Sequence, residues 1–307
     1  MDTLAVRTSP APAPDLADPR AYAAWRDRKL ADPARRAADL LVDIGDPLAL
    51  TPDERQALLQ RCARWNMALY RCRADADKPA VLALARQIGL RRLDGNWLAD
   101  DDGLSSIAVR AGLGEPRGAY IPYTTRPIKW HTDGYYHPDE RRIHAMVLHC
   151  VRAAASGGVN SLLDHELAYI AVRDASPRWL QALMAPDAMT IPARTDDDGR
   201  AAQAGPVFSL GASGAVHMRY TARTRSIVWK DDAATREAVA FLERFLADNP
   251  FTLRLRLEPG MGLVANNVLH DRSGFADDPA APRLLWRARY LDRIDAPAVP
   301  EAPWRSG

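Results

Sequence analysis

The chain has 307 residues, 47% apolar and 26% charged, with a formal net charge of +2. That length can bury a large core, and the near-neutral balance excludes a strongly basic nucleic-acid binder or an acidic tail. No apolar run approaches the ~20 residues that span a bilayer, and the N-terminus lacks a charged-then-apolar secretory layout.

Cys62, Cys72 and Cys150 are odd in number and form no C-x-x-C pair. They fit reduced thiols in a cytoplasmic protein, not a disulfide framework or a zinc knuckle. Residues 1–17, rich in Pro and Ala, read as a flexible tail. A mostly helical segment over 18–100, packed on the core, is expected next. Asp18-Pro19 and Asp32-Pro33 each look like an N-cap followed by proline at the first helical position. Thr51-Pro52-Asp53-Glu54 has capping-box spacing, and Leu58, Cys62, Trp65, Leu69 and Cys72 recur as one apolar helical stripe behind it. Lys78-Pro79 opens another short helix.

Near residue 105 the texture changes to short β-rich runs separated by Gly, Pro and Asp: SSIAVRA, AYIPYT, IHAMVLHC, MTIPAR, FTLRLRLE, GLVANN and RLLWRARYL. In FTLRLRLE, Phe251, Leu253, Leu255 and Leu257 alternate with Arg254, Arg256 and Glu258, the period of a strand with one buried face. Two helices interrupt the strands, one from Ser176-Pro177 and one over about 232–247. Many short strands with scattered helices predict a sandwich or barrel, not a doubly wound parallel sheet.

Two histidines and a carboxylate on one face of an iron(II) leave three coordination positions open, which an oxygenase needs for co-substrate and dioxygen together. His-x-Asp suits such a site because residues i and i+2 of an extended segment project to the same face. Seven His and 31 Asp in 307 residues give roughly 0.7 such pairs by chance, and two occur, His131/Asp133 and His137/Asp139. Context favours the first. His131 follows the extended segment AYIPYTTRPIKW, whereas Pro138 has no N–H for a ladder and marks a turn or edge. The third ligand comes from elsewhere: Pro259-Gly260 leads into the apolar run GLVANN and then His270, far along the chain from Asp133. Arg283 and Arg287 follow in the next β-rich run. A strand-borne arginine is suited to a buried carboxylate through a bidentate, charge-assisted pair.

WHTDGYY (130–136), GGVNSLLDHE (157–166), PGMGLVANNVLHDRSGF (259–275) and RLLWR (283–287) together resemble the taurine dioxygenase/TfdA-like family of iron(II)- and 2-oxoglutarate-dependent oxygenases. The likeness covers roughly residues 105–292. It implies a mainly β fold with flanking helices and a double-stranded β-helix (jelly-roll) core over 105–295. It also implies Fe(II), 2-oxoglutarate as co-substrate and O2, with 2-oxoglutarate decarboxylated to succinate and CO2 as a substrate C–H bond is oxidised. Carried over by motif, His131, Asp133 and His270 are the iron ligands and Arg283 the partner of the 2-oxoglutarate distal carboxylate. Arg287 sits where relatives hold a substrate anion or a nearby co-substrate oxygen. Where many relatives have threonine in Gly-Gly-x-Thr, this chain has Asn160, whose amide can still donate; Ser161 is its rival for that role.

The remaining candidates carry two readings each. His149 reads as a core histidine before a ligand, and His144, His165 and His217 have no partner spacing. Arg219, Arg223 and Arg225 share odd positions and form either a solvated basic face or a lid that grips an anionic substrate. Tyr135, Tyr136 and Trp229 either line the pocket or pack. A second cation beside Arg283 is costly in a dry pocket unless an anion pairs with it, so the expected substrate is small and anionic or zwitterionic, set near Arg287 and reached by Arg219, Arg223 and Tyr135. No nucleic-acid or membrane partner is expected, and a homo-oligomer is compatible with the composition. The alternatives are another iron-dependent outcome such as desaturation, or a catalytically silent β-helix binding protein. Halogenation is disfavoured because Asp133 fills the position a halide needs, and an intact triad argues against silence.

Overall fold

The computed structural model describes residues 15–95, 100–109, 120–193, 200–211, 213–223 and 227–295. Two sheets carry the site. The larger has the spatial order β1 (Leu41–Asp43), β2 (Met67–Arg71), β14 (Met261–Ala265), β5 (Ala145–Arg152), β17 (Leu284–Tyr290) and β3 (Ser105–Ile107). All its pairs are antiparallel except β1 with β2. The smaller is antiparallel, in the order β13 (Leu253–Leu255), β7 (Asn160–Leu163), β15 (Leu269–Arg272) and β4 (Ile128–His131). Minor pairings add β6 (Ser156–Gly157) with β16 (Phe275–Ala276), β10 (Phe208–Leu210) with β11 (Val216–Met218), and β8 (Met189–Ile191) between β9 (Gln203–Gly205) and β12 (Val228–Trp229). Seven α-helices lie among the described residues: α1 (Pro19–Ala31), α2 (Ala37–Leu40), α3 (Pro52–Trp65), α4 (Lys78–Gln87), α5 (His165–Ala175), α6 (Pro177–Leu183) and α7 (Ala233–Ala247).

Strand periodicity sorts the core into three buried clusters. On β5, Met146, Leu148 and Cys150 face one way, with Leu263 and Ala265 of β14 and Leu285 of β17. They share one cluster with Leu162, Leu253 and Leu255 of the smaller sheet, so the two sheets face each other across it. The alternate residues Ala145 and Val147, with Val264, Ala288 and Tyr290, meet Leu58, Leu59 and Cys62 of α3 and Val81, Leu84 and Ala85 of α4. The smaller sheet turns Leu163 and Leu269 to its other side, against α5, α6 and α7. The interior between the sheets is thus walled off from water by a helical layer on each outer face, and a polar group inside it needs a partner.

Several expectations are corrected here. The segment over 18–100, expected to be mostly helical, holds α1 to α4 but also β1 and β2, and β2 is an interior strand of the larger sheet. The stripe from Leu58 to Cys72 is broken: α3 ends at Trp65, Asn66 takes a left-handed φ of 58°, and Leu69 belongs to β2. The step of four from Trp65 to Leu69 crosses a helix–strand boundary, and the two sides differ: Leu58 and Cys62 pack in the cluster with α4, whereas Leu69 faces the cluster between the sheets. Asp32 is the C-cap of α1, and no helix begins at Pro33. AYIPYT is one 3-10 turn over Ile121–Tyr123 instead of a strand, with Ala119 outside the described residues. α5, capped by Asp164, is a third helix among the strands. The flexible tail stops short of residue 17, because Leu16 is buried and its carbonyl accepts from Arg173 Nη1 at 2.7 Å; residues 1–14 lie outside the described residues. The capping box of Thr51 and Glu54 and the helices opening at Pro19, Lys78, Pro177 and Ala233 are as read.

Candidate metal centre

One row of cross-strand neighbours runs over the inner face of the smaller sheet: Leu253, Leu162, His270, His131. Leu253 and Leu162 pack between the sheets. Directly opposed residues of an antiparallel pair present their side chains on the same face, so the row turns from apolar to imidazole at β15 and ends on the edge strand β4. The two imidazole centroids are 4.1 Å apart.

Each ring is fixed by the backbone two residues before it. His131 Nδ1 lies 2.9 Å from the Lys129 carbonyl, and His270 Nδ1 lies 2.9 Å from the Val268 carbonyl. A carbonyl only accepts, so both Nδ1 atoms carry the hydrogen and both Nε2 atoms present a bare lone pair, the arrangement that orients metal-binding histidines. Burial, then the neighbouring His270, pushes the His131 pKa down to about 3, so its ring is neutral at ordinary pH.

Asp133 follows in a loop that is held from both sides. Thr132 N–H donates to the Tyr220 carbonyl at 3.0 Å, and Tyr220 N–H donates back to Thr132 Oγ1 at 3.1 Å. Asn267 accepts from the Asp133 N–H at 2.7 Å and donates to the Asp133 and Ile143 carbonyls at 2.9 and 2.8 Å. Its own φ is 49°, a left-handed conformation that asparagine tolerates better than most residues. Gly134 sits at φ +69°, and a Cβ there would stand 2.4 Å from Ile143 Cγ1. The carboxylate accepts from Arg287 Nη1 at 3.2 Å through Oδ1, while the buried Oδ2 has no hydrogen-bond partner. Burial works to raise the Asp133 pKa, but the cations around it, Arg287 foremost, hold it well below the usual carboxylate range.

The ligand atoms of His131, Asp133 and His270 all lie within 4.8 Å of one another. Two bare imidazole nitrogens and an ionised carboxylate with an unpartnered buried oxygen form a donor set that fits a divalent transition metal on one face. His137 and Asp139 play no part in this group. Asp139 is exposed and pairs with Arg142 at 2.7 Å, and His137 Nε2 lies 3.4 Å from Asp94.

Arg283 stands just before β17, buried, with its guanidinium 5.0 Å over the Phe275 ring. No carboxylate or carbonyl of the described residues accepts from it. Arg283 and Asn160 line one small, partly open cavity with Gly158, Arg256 and Leu285. Desolvation lowers the Arg283 pKa from its usual value, so an anion entering this cavity would relieve an unpaired buried cation. Arg287 and Leu285 follow on β17, with Leu285 facing the between-sheet cluster and Arg287 reaching Asp133.

The other candidate residues divide. Arg219 is corrected: it is buried, and its guanidinium donates to the carbonyls of Tyr135, Met189 and Gln203 at 2.7, 3.0 and 2.6 Å. It ties three segments together and offers no free face to a substrate. Arg223 is exposed near the Tyr135 hydroxyl, Tyr135 lies beside Thr221, and Thr221 bridges to His131. Arg225 lies outside the described residues. Trp229 packs against the helical cluster. Arg272 donates to the carbonyls of Pro122, Thr124 and Arg126 and so braces the chain. His149 is a core residue: Nδ1 lies 3.0 Å from the Tyr70 hydroxyl and the ring stacks on Trp286.

Sequence reasoning missed two supports of the centre. Asn267 is one, although the Asn-Asn pair closing GLVANN was a turn signal available to read. The other is buried Asp94, which meets Arg289 Nη2 at 2.5 Å and Arg141 Nη2 at 2.6 Å, while Arg289 Nη1 donates to the Tyr136 hydroxyl at 2.8 Å. This network anchors the Tyr135–Tyr136 stretch that follows Asp133, and nothing in a linear pattern pairs residue 94 with 289.

The family model described as "Taurine catabolism dioxygenase TauD, TfdA family" matches residues 27–289. The chain belongs to the TauD/TfdA family. It is therefore an oxidoreductase of the dioxygenase kind, as the four motifs implied. A relative from Amycolatopsis sp, uridine-5'-phosphate dioxygenase, is 34% identical over 271 residues, covering 82% of this chain and 97% of the relative. A uridine-5'-phosphate dioxygenase from Streptomyces sp is 27% identical over 205 residues, covering 65% and 73%. Among solved structures, the non-heme iron oxygenase OrfP in complex with Fe and alpha-ketoglutaric acid aligns with a TM-score of 0.59 at 17% identity, covering 90% of this chain and 85% of that one. Asparagine oxygenase in complex with Fe(II), 2S,3S-3-hydroxyasparagine and succinate aligns at 0.53 with 18% identity, covering 80% and 86%. At such identities the structural likeness speaks to the fold. No helix of the described residues is long and apolar enough to cross a membrane.

Proposed function

We propose that the protein is an Fe(II)- and 2-oxoglutarate-dependent dioxygenase that hydroxylates an aliphatic C–H of a small anionic substrate, a nucleoside 5'-phosphate being the favoured class. The observation that carries the reading is the convergence of His131, Asp133 and His270 within 4.8 Å, with both Nδ1 atoms tied to carbonyls and one carboxylate oxygen left bare. The two facing sheets support a double-stranded β-helix core, with the triad at the edge of the smaller sheet. Iron(II) held by the triad would let dioxygen oxidise 2-oxoglutarate to succinate and CO2, one oxygen atom entering succinate and the other the substrate C–H bond.

This chain's own residues supply the binding and orientation. Arg283, with the Asn160 amide beside it, receives the distal carboxylate of 2-oxoglutarate in the cavity they share. Arg287 holds Asp133, and its Nε, buried without a hydrogen-bond partner among the described residues, would be available to a co-substrate oxygen or a substrate anion. Arg223 and Tyr135 lie on the substrate side, next to Thr221 and so to His131. The substrate class rests on the two uridine-5'-phosphate dioxygenases that the chain resembles and on the cations around the triad. The deciding experiment is succinate release by the iron-loaded enzyme with a panel of nucleoside 5'-phosphates, the matching nucleosides, and amino acids. Acceleration by a nucleoside 5'-phosphate, with a product heavier by one oxygen or a fragment of it, supports the reading. Acceleration only by a neutral compound or an amino acid refutes the substrate class, and no turnover of 2-oxoglutarate refutes the enzyme.

A further inference from the structure

The 3-10 turn over Ile121–Tyr123 carries a second orphan of the interior. Tyr123 is 1% exposed, and its hydroxyl, shut off from solvent, has no hydrogen-bond partner among the described residues. Buried tyrosine hydroxyls nearly always have one, because the group keeps its need for a partner when it leaves water. If the ring were there only to fill space, phenylalanine would fill the same space without that cost.

The turn is not free to swing the hydroxyl outward. Arg272, two residues after His270 on β15, donates to the carbonyl before Tyr123 (Pro122, 3.4 Å) and to the one after it (Thr124, 2.9 Å). The guanidiniums of Arg272 and Arg283 flank the same Phe275 ring, 4.7 and 5.0 Å from its centroid. The clamp on Tyr123 therefore comes from the strand that carries His270 and shares the Phe275 ring with Arg283. The Tyr123 side chain belongs to the between-sheet cluster together with Leu148 and Leu285. Leu285 lines the Arg283 cavity and precedes Arg287 by two residues on the same face. The Tyr123 hydroxyl is thus an orphan donor held in the between-sheet cluster that also contains Leu285 of the Arg283 cavity.

We propose that the Tyr123 hydroxyl is a further donor to 2-oxoglutarate, completing with Arg283 and Asn160 the set that grips the co-substrate. The proposal rests on the 2-oxoglutarate reading above. Its test is Tyr123→Phe, which removes one oxygen and keeps the ring. Anaerobic titration of the Fe(II) protein with 2-oxoglutarate, followed through the metal-to-ligand charge-transfer band, should show the Kd raised about 10- to 100-fold, the worth of one hydrogen bond to a charged group. Fe(II) affinity should be unchanged. The melting temperature without co-substrate should be equal or higher, because the lost hydroxyl had nothing to bind. A lower melting temperature with an unchanged 2-oxoglutarate Kd would mean that the hydroxyl serves the fold, and the proposal falls while the proposed enzyme stands. Absence of the band in the unaltered protein would overturn both.

Discussion

His270 lies directly across the antiparallel ladder from His131, with the two ring centroids 4.1 Å apart. The ladder itself therefore sets the spacing of the imidazoles. Two histidines from distant parts of the chain become cross-strand neighbours, and a slip of one residue in β4 or β15 would turn one of them to the opposite face.

The centre should depend on each of the three side chains and on no neighbouring carboxylate. His131→Ala, Asp133→Ala and His270→Ala should each abolish stoichiometric iron(II) binding and the charge-transfer band formed with 2-oxoglutarate, with far-UV circular dichroism preserved. Asp139→Ala should leave both intact, because Asp139 is exposed and bonded to Arg142. A normal band in Asp133→Ala would remove the assignment.

Arg283 should bind co-substrate and not metal. Arg283→Ala should retain iron while 2-oxoglutarate affinity falls by roughly 30-fold to several thousand-fold, matching the ~2–5 kcal/mol lost when one partner of a buried charge pair is removed. Arg283→Lys should recover part of this, since a point charge cannot reproduce the two-pronged guanidinium. Calorimetric titration of the iron-loaded variants measures both, and an unchanged affinity would shift the role to Arg256, the other arginine lining the cavity.

Asn267 should tune the metal without touching it. Asn267→Ala leaves the Asp133 N–H and two carbonyls without their side-chain partner, costing at least about 2 kcal/mol in urea unfolding. Iron affinity should drop by about 10- to 100-fold, as expected for loss of a residue that orients a ligand. Asn267→Gly relieves the left-handed backbone but restores none of the bonds. Wild-type iron affinity in the glycine variant would show that only backbone conformation matters.

His149, stacked on Trp286, should make stability depend on pH. Burial pushes its pKa from 6.5 down to about 4, so the unfolded chain takes up the proton first. Its contribution is complete above about 6.5 and is lost as pH falls toward 4, at up to ~1.4 kcal/mol per pH unit. Phenylalanine at both 149 and 70 keeps the stack on Trp286 and leaves no hydroxyl stranded. Denaturant unfolding from pH 7.5 to 4.5 should show a shallower slope for Tyr70→Phe/His149→Phe than for the unaltered protein; parallel slopes would refute the titration.

What the sequence by itself determined is what depends on local geometry. Thr51 and Glu54 close a capping box because the contact lies within one helical turn, and His131 with Asp133 reads as a pair because one residue separates them, although Asp133 stands in the turn after β4 and not on the strand. His270, Arg283 and Arg287 were legible as strand-borne residues at suggestive intervals. Tertiary structure decided the rest. The periodicity from Leu58 to Cys72 looks helical, yet Leu69 is drawn into β2 by pairing with β14, a partner from the far end of the chain. Arg219 alternates with Arg223 like a binding face, but three backbone carbonyls from distant segments claim its guanidinium. Asn267 has no value to Asp133 until β4 and β15 are side by side, and Asp94 meets Arg289 only across the folded chain. A buried polar group is satisfied by whatever the fold brings within about 3 Å of it, and that distance is a property of the packed molecule, not of spacing along the chain.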